Sequence, residues 1–373
     1  MAHEIGRKLD FAALLPKPVC RMALFILGHK ILLLVLILVL PSVFPALPAR
    51  ERPVSARLNN WDGGSYIEIA AHGYAAKGNT LFYPLWPACI RIGSWLTGGN
   101  MLLSGCALAN LFSLIGMLLF HRMVWQRHGL SVADTATLLM LLFPGSIFFF
   151  FPYTESLFLL LLITCLICQQ HRIYWAAAVA GFLLPLTRAT GIFILPVMAW
   201  EIFTDRPSSD SMRRYWMCLG PVLGYLCYFG IMHFLTGYAF AGFTAQQDTP
   251  SHPSIAQISD LPGFLHAFLD VHFSHDMLHS CLDRAVFLMV LLSLYWVLRL
   301  NPGYYIYAAL SGVIPALSND MASYTRYASL VFPSFIVWAL ISRRLKLSPL
   351  VLSLLCTLQL FLFLLHISNM WAG

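Results

Sequence analysis

Apolar runs of bilayer-spanning length recur along this chain, and they limit its fold more than any other feature. Within a hydrocarbon layer a segment must satisfy its own backbone N–H and C=O groups, so such runs become helices. Broken by polar turns, they lie at about 22–43, 101–122, 131–150, 154–170, 173–187, 190–204, 215–236, 284–300, 304–318, 327–342 and 347–368. This pattern predicts an all-α polytopic membrane protein with about 11 transmembrane helices, forming a single domain over residues 1–373. The runs at 173–187, 190–204 and 304–318 are short for a core of about 30 Å, and they are expected to be broken or tilted. Charged residues make up 10% of the chain and hydrophobic ones 59%, against roughly 25% charged in soluble domains. The first run, Met22 to Leu40, follows Arg7, Lys8, Lys17 and Arg21. It exceeds the roughly 7–15 apolar residues of a signal peptide, so it reads as an uncleaved helix with a cytoplasmic N-terminus.

The net charge of +7 comes from basic residues dispersed between apolar runs, a topology signal rather than a nucleic-acid surface. Alternate threading of the runs places fifteen Lys/Arg on the N-terminal side and eight on the other, in agreement with the positive-inside rule. Two long stretches, about 44–100 and 237–283, then face outward. Leu81 to Leu96 in the first is too interrupted by Pro84 and Pro87 to span, and its aromatics and Arg91 fit a segment lying in the interface. Neither stretch has room for a nucleotide-binding domain, and the chain has no G-x-G-x-x-G after a strand and no Walker-type lysine loop. A transferase built this way needs a lipid-linked donor. Of nine cysteines, most sit inside apolar runs as packing residues, including the Cys165-x-x-Cys168 pair; Cys89 and Cys281 fall in outer loops and are not expected to pair.

Five segments carry the residues with chemical potential. Just after the first run, Trp61-Asp62-Gly63-Gly64 puts an acid at the lipid boundary, beside a tryptophan suited to headgroup depth and glycines that permit close backbone approach. Arg188 and Arg326 stand between apolar runs on the same side. An arginine at depth usually faces a cavity or a partner, and its planar fork matches phosphate oxygens; snorkelling to headgroups is the other reading. Glu155, in Phe151-Pro-Tyr-Thr-Glu-Ser156, fits a helix start with Thr154 as N-cap, or a contribution to binding. His272, His275 and His279, with Asp276 close by, have spacing compatible with metal ligation, although exposed histidines on an amphipathic helix fit as well.

Taken in order, Trp61-Asp62-x-x-x-Tyr66-x-x-Ile69-Ala70-x-x-Gly73-Tyr74, Phe82-Tyr-Pro-Leu-Trp-Pro87, Tyr153-Thr-Glu-Ser156, Thr187-Arg188-x-x-Gly191 and Arg326-Tyr327 resemble the PIG-V-like family. Eukaryotic members of that family add the second mannose of the GPI anchor. The resemblance runs from about residue 57 to 327, and Gly63-Gly64-Ser65 and Thr190 depart from its pattern. It implies a GT-C-like helical bundle with interfacial helices in the first outer loop and the catalytic acid there. It also implies a polyprenyl- or dolichyl-phosphate sugar donor and inversion at the anomeric carbon. The short loops look bacterial, which would place the chain in an inner membrane with its site on the periplasmic side. GPI is absent there, so the acceptor would be another lipid or glycan.

The chemistry needs few groups. Asp62 is expected to take the proton of the acceptor hydroxyl, and Arg188 and Arg326 to hold the donor phosphate as it gains charge. Trp61, Tyr66, Glu68, His72, Tyr153, Glu155 and Tyr327 are the expected substrate contacts. A monophosphate leaving group needs no obligatory metal, and near Asp62 the loop adds only Glu68 and His72 as ligands, too few for a hard cation. No cofactor is expected; the partners are the lipid-linked donor, the acceptor and membrane lipids, with no nucleic acid. A transporter or flippase for lipid-linked sugars is the alternative, but such a protein would usually show internal repeats or broken helices meeting at midplane.

Overall fold

The computed structural model describes residues 16–44, 47–75, 78–204, 211–248, 254–270, 277–318 and 321–370. His252, His272, His275 and Asp276 of the second outward stretch lie outside the described residues. Among those described there is no strand. The helices are α1 (Lys17–Val43), α2 (Asp62–His72), α3 (Leu85–Ser94), α4 (Met101–His128), α5 (Leu130–Leu142), α6 (Glu155–Gln170), α7 (Tyr174–Leu183), α8 (Ile194–Thr204), α9 (Leu219–Thr236), α10 (Met277–Leu300), α11 (Pro302–Ser318), α12 (Phe332–Arg344) and α13 (Ser348–Ile367). Shorter helices at Ser211–Met217, Ala241–Asp248, Leu261–Leu269 and Tyr324–Ala328 connect them.

Helix α1 shows how the bundle meets lipid. Met22, Ile26, Lys30, Leu33, Ile37 and Pro41 are buried at three- and four-residue spacing, one helical face. Leu24, Phe25, Ile31, Leu32 and Leu38 on the other faces are exposed although apolar, as a lipid-facing surface requires. Lys30 keeps its ammonium inside by donating to Asn110 Oδ1 at 3.1 Å, Ser113 Oγ at 2.7 Å and the Phe149 carbonyl at 3.2 Å.

Five stretches are long and apolar enough to cross a membrane: Lys17–Val43, Met101–His128, Arg214–Thr236, Ser280–Leu300 and Ser348–Ile367. The other apolar runs are cut short, chiefly by proline. The run at 131–150 leaves the α-helix after Leu142, because Pro144 has no N–H and disfavours helix at Phe143; it continues as a 3₁₀ turn, Pro144–Phe149. The run at 173–187 is helical only to Leu183, before Pro185, and the one at 190–204 opens as a 3₁₀ turn, Ala189–Phe193. The run at 327–342 divides into the turn Tyr324–Ala328 and α12, which starts beside Pro333. The interface reading of 81–96 is met by α3, which buries Trp86 and Ile90 while Ile92, Trp95 and Leu96 stay exposed. All nine cysteines lie within the described residues and none forms a disulfide, Cys89 and Cys281 included.

Candidate active site

The interruptions in the bundle meet where Asp62 begins α2. The turn before it is tied down from several sides. Asn60 donates from Nδ2 to the His366 carbonyl at 2.6 Å, and its Oδ1 accepts from Arg52 Nη2 at 2.6 Å. Arg52 Nη1 donates to the Ile367 carbonyl at 3.0 Å. Two carbonyls at the C-terminal end of α13 thereby fix the loop that presents Asp62. Tyr153 completes the clamp through its hydroxyl, which donates to the Asn60 carbonyl at 3.0 Å. Gly63 packs tightly here: a Cβ would come 3.1 Å from the Tyr153 ring and 3.3 Å from Pro152, so the ring would have to shift by a few tenths of an ångström. Gly64 has ordinary room.

Around this clamp stand two acids and two arginines. Arg326 spans the acids: its Nη1 donates to Asp62 Oδ2 at 2.5 Å and its Nε to Glu155 Oε1 at 2.5 Å. Arg188 Nη1 donates to the same Glu155 oxygen and to Thr154 Oγ1, the latter at 3.3 Å. Glu155 is fully buried and its Oε2 has no partner among the described residues. Helix capping is therefore not what Thr154 does, since no side-chain cap bond forms at the start of α6. Glu155 instead anchors both guanidinium groups.

Aromatic faces hold the arginines from the other side. Arg326 Cζ sits 4.6 Å from the Tyr153 ring centroid and 5.1 Å from that of Phe148, and Arg188 Cζ is 5.0 Å from that of Tyr327, distances typical of cation–π contacts. Burial works against the charge of Arg326, but the nearby Glu155 and Asp62 carboxylates outweigh it and hold its guanidinium protonated, above its ordinary range. Gly145 sets the position of Arg326, because a Cβ there would fall 2.1 Å from the Thr325 carbonyl oxygen.

A cavity of about 350 Å³ opens in front of this cluster. Asp62, Tyr66, Arg188, Arg326 and Tyr327 line it, and Tyr83, Tyr225 and Phe243 add an aromatic wall. Burial pushes the Tyr66 and Tyr83 phenols above their usual range, so both remain neutral hydroxyls near pH 7. Asp62 is the acid on the cavity wall, with its side chain 29% exposed.

The expected substrate contacts divide accordingly. Tyr66 and Tyr327 reach the cavity, whereas Tyr153 and Glu155 lie behind Arg326 as supports. Glu68 and His72 are exposed and do not line the cavity, being on other faces of α2 than Asp62 and Tyr66. Trp61 is 44% exposed and also outside it, in a left-handed backbone conformation (φ 51°) that starts α2. Among the described residues no three His, Cys, Asp or Glu side chains gather as metal ligands. Asn60, Arg52 and Phe243 were not among the expected site residues, and Tyr83 figured only as part of the motif at 82–87. The adjacent Asn59-Asn60 pair was the one available signal for the clamp.

Comparison with known proteins joins this geometry to a family. The family model described as Mannosyltransferase (PIG-V) matches residues 35–201, the stretch holding Asp62, Glu155 and Arg188. GPI alpha-1,6-mannosyltransferase 2 of Mus musculus is 26% identical over 180 residues, 46% of this chain and 36% of that protein. GPI mannosyltransferase 2 of Drosophila melanogaster is 26% identical over 215 residues, 52% of this chain and 47% of that one. The chain thus spans less than half the length of either relative. Among solved structures, the apo oligosaccharyltransferase of Archaeoglobus fulgidus superposes with a TM-score of 0.50 at 13% identity, covering 94% of this chain and 56% of that one. That likeness concerns the fold alone, a GT-C-like helical bundle.

Proposed function

We propose, from the match of residues 35–201 to the PIG-V family model, that this chain is a membrane glycosyltransferase moving a hexose, mannose, from a polyprenyl- or dolichyl-phosphate donor to a lipid or glycan hydroxyl. One observation supports this reading above the others: Arg326 hydrogen-bonds Asp62 and Glu155 together, on the wall of a cavity that Arg188 also lines. An acid able to serve as base and two cations suited to a phosphate share one water-accessible cleft.

In this scheme the donor phosphodiester enters with one negative charge and meets the two guanidinium forks. Arg326 trades its bond to Asp62 for a phosphate oxygen and keeps its Nε on Glu155, which frees the Asp62 carboxylate. The acceptor hydroxyl attacks the anomeric carbon from the face opposite the phosphate. Its oxygen forms the new C–O bond, its proton passes to Asp62, and the electron pair of the breaking C–O bond leaves with the phosphate. The leaving group gains a second charge as it departs, so the arginines stabilise the transition state more than the bound donor. The neutral tyrosines and apolar lining suit the sugar ring and the first isoprene units. The site faces the outer side in the threading favoured by the positive-inside count.

The flippase alternative calls for broken helices meeting at midplane. Here the interruptions at Pro144, Pro185 and residues 324–331 gather with Asp62 at one end of the bundle. Purified protein in liposomes, given native membrane extract as acceptor source, should release polyprenyl phosphate from polyprenyl-phosphate mannose and leave GDP-mannose untouched. Consumption of the nucleotide sugar instead, or movement of the lipid-linked sugar across the bilayer without its cleavage, would sink the proposal.

A further inference from the structure

The opposite end of the bundle carries a second polar cavity, unrelated to the chemistry of Asp62. Glu155 and Gln169 lie at opposite ends of helix α6, so a rise of about 1.5 Å per residue separates the two sites by about 21 Å. The cavity is about 370 Å³ and lies among the ends of α4, α6, α7 and α8 and the Ser211–Met217 helix. Among the described residues, Arg127, Arg172 and Arg214 line it together with one acid, Glu201. Gln169 also lines it; its side chain is buried at 4% exposure, and neither Oε1 nor Nε2 has a hydrogen-bond partner among the described residues.

A buried amide without partners is costly, and one lining an arginine-rich cavity is explained if a ligand completes its bonds. The surroundings indicate where that ligand resides. Trp175, Trp200, Phe203, Tyr215 and Trp216 are all exposed at this same end, as expected of an aromatic belt at the lipid headgroups. Arg127, Arg172 and Arg214 are also among the basic residues on the N-terminal side of the charge count, and basic pockets between helices at that level suit anionic headgroups.

We propose that this cavity binds the phosphate group of an anionic phospholipid. The arginine forks meet the phosphate oxygens, and Gln169 supplies an amide N–H to the same group.

The test uses the full chain in phosphatidylcholine nanodiscs doped with phosphatidylglycerol, released and weighed by native mass spectrometry. Wild type should retain one phosphatidylglycerol that the double variant Arg127→Gln/Arg172→Gln loses, with affinity at least about tenfold weaker in the variant. Both arginines are exposed, so this variant should fold. Gln169→Leu fills similar space without the amide, and it should resist heat at least as well as wild type while retaining less lipid. Equal retention by all three proteins would overturn the site. If inorganic phosphate raised the melting temperature of wild type as much as phosphatidylglycerol does, the assignment to a lipid headgroup would fall.

Discussion

Replacing Glu155 by glutamine probes both the architecture of the site and its proposed ligand. The glutamine keeps the shape and one acceptor oxygen but removes the charge that faces two guanidinium groups, each less than a tenth exposed. Removing one partner of a buried ion pair costs about 3–5 kcal/mol. Some support survives: Arg326 keeps Asp62 at 2.5 Å and the Tyr153 face at 4.6 Å, and Arg188 keeps Thr154 at 3.3 Å. The loss should therefore fall at the low end, about 3 kcal/mol, enough to lower the melting temperature by several degrees. The same substitution leaves an extra positive charge in the cavity. A ligand that binds only the folded state stabilises it according to its concentration over its Kd, so polyprenyl phosphate should raise the melting temperature of the variant more than that of wild type. The assay is thermal unfolding in detergent with and without polyprenyl phosphate. An unchanged melting temperature would refute the role of Glu155 as the ionic anchor. A smaller ligand-induced rise in the variant would refute the placement of the phosphate on the arginines.

Asp62→Asn should fold and bind donor but transfer sugar about two to four orders of magnitude more slowly, the usual contribution of a general base; near-normal turnover in the purified variant would rule the base out. Lysine in place of Arg188 or Arg326 keeps the charge and loses the fork, so transfer should drop about tenfold or more for each, and a structure with a bound polyprenyl-phosphate analogue should show the phosphate on both guanidinium groups. Gly145→Ala should cost about 1–3 kcal/mol or more from overpacking and lower transfer by displacing Arg326, read as a lower melting temperature together with a lower kcat. Transfer should persist in excess EDTA, because the two arginines meet the leaving phosphate; a loss restored only by Mg²⁺ or Mn²⁺ would show that they do not suffice.

Membrane residence and helical class were legible because both depend on local signals, apolar runs and isolated charges at their borders; the structure also gathers Asp62, Arg188 and Arg326, which short motifs in order had singled out. Span boundaries were less so. A hydropathy reading carries Leu142 into Phe143-Pro144 and Leu183 into Pro185, whereas the backbone leaves the α-helix at both places because proline cannot continue it. The role of Glu155 was hidden for a different reason. Thr154-Glu155 is also a sound helix start, and only the meeting of residues 155, 188 and 326 in space reveals the shared carboxylate. The Asn60 clamp is harder still to foresee, since its partners are main-chain carbonyls of His366 and Ile367, about which side-chain identity says nothing. Glu68 and His72 were grouped with Asp62 by proximity in sequence, yet the turn of α2 carries them away from the cavity.

The division of labour between the arginines follows from which nitrogen each one uses. Arg188 is committed through Nη1 to Glu155 and Thr154, while Arg326 uses Nε for Glu155 and Nη1 for Asp62. Arg326 can therefore leave Asp62 without leaving its anchor, and Arg188 has no bond to Asp62 to give up. Without donor, two carboxylates and two guanidinium groups balance, which makes their joint burial tolerable. A phosphodiester entering that cluster adds a negative charge and favours the state in which Asp62 no longer shares Arg326. In the proposed scheme donor binding and activation of the base become one event, carried by a single side chain whose planar fork lysine cannot reproduce. It follows that Arg326→Lys should lower kcat more than Arg188→Lys does, with the loss of donor affinity similar in the two. Equal kcat values for the two lysine variants would contradict this coupling.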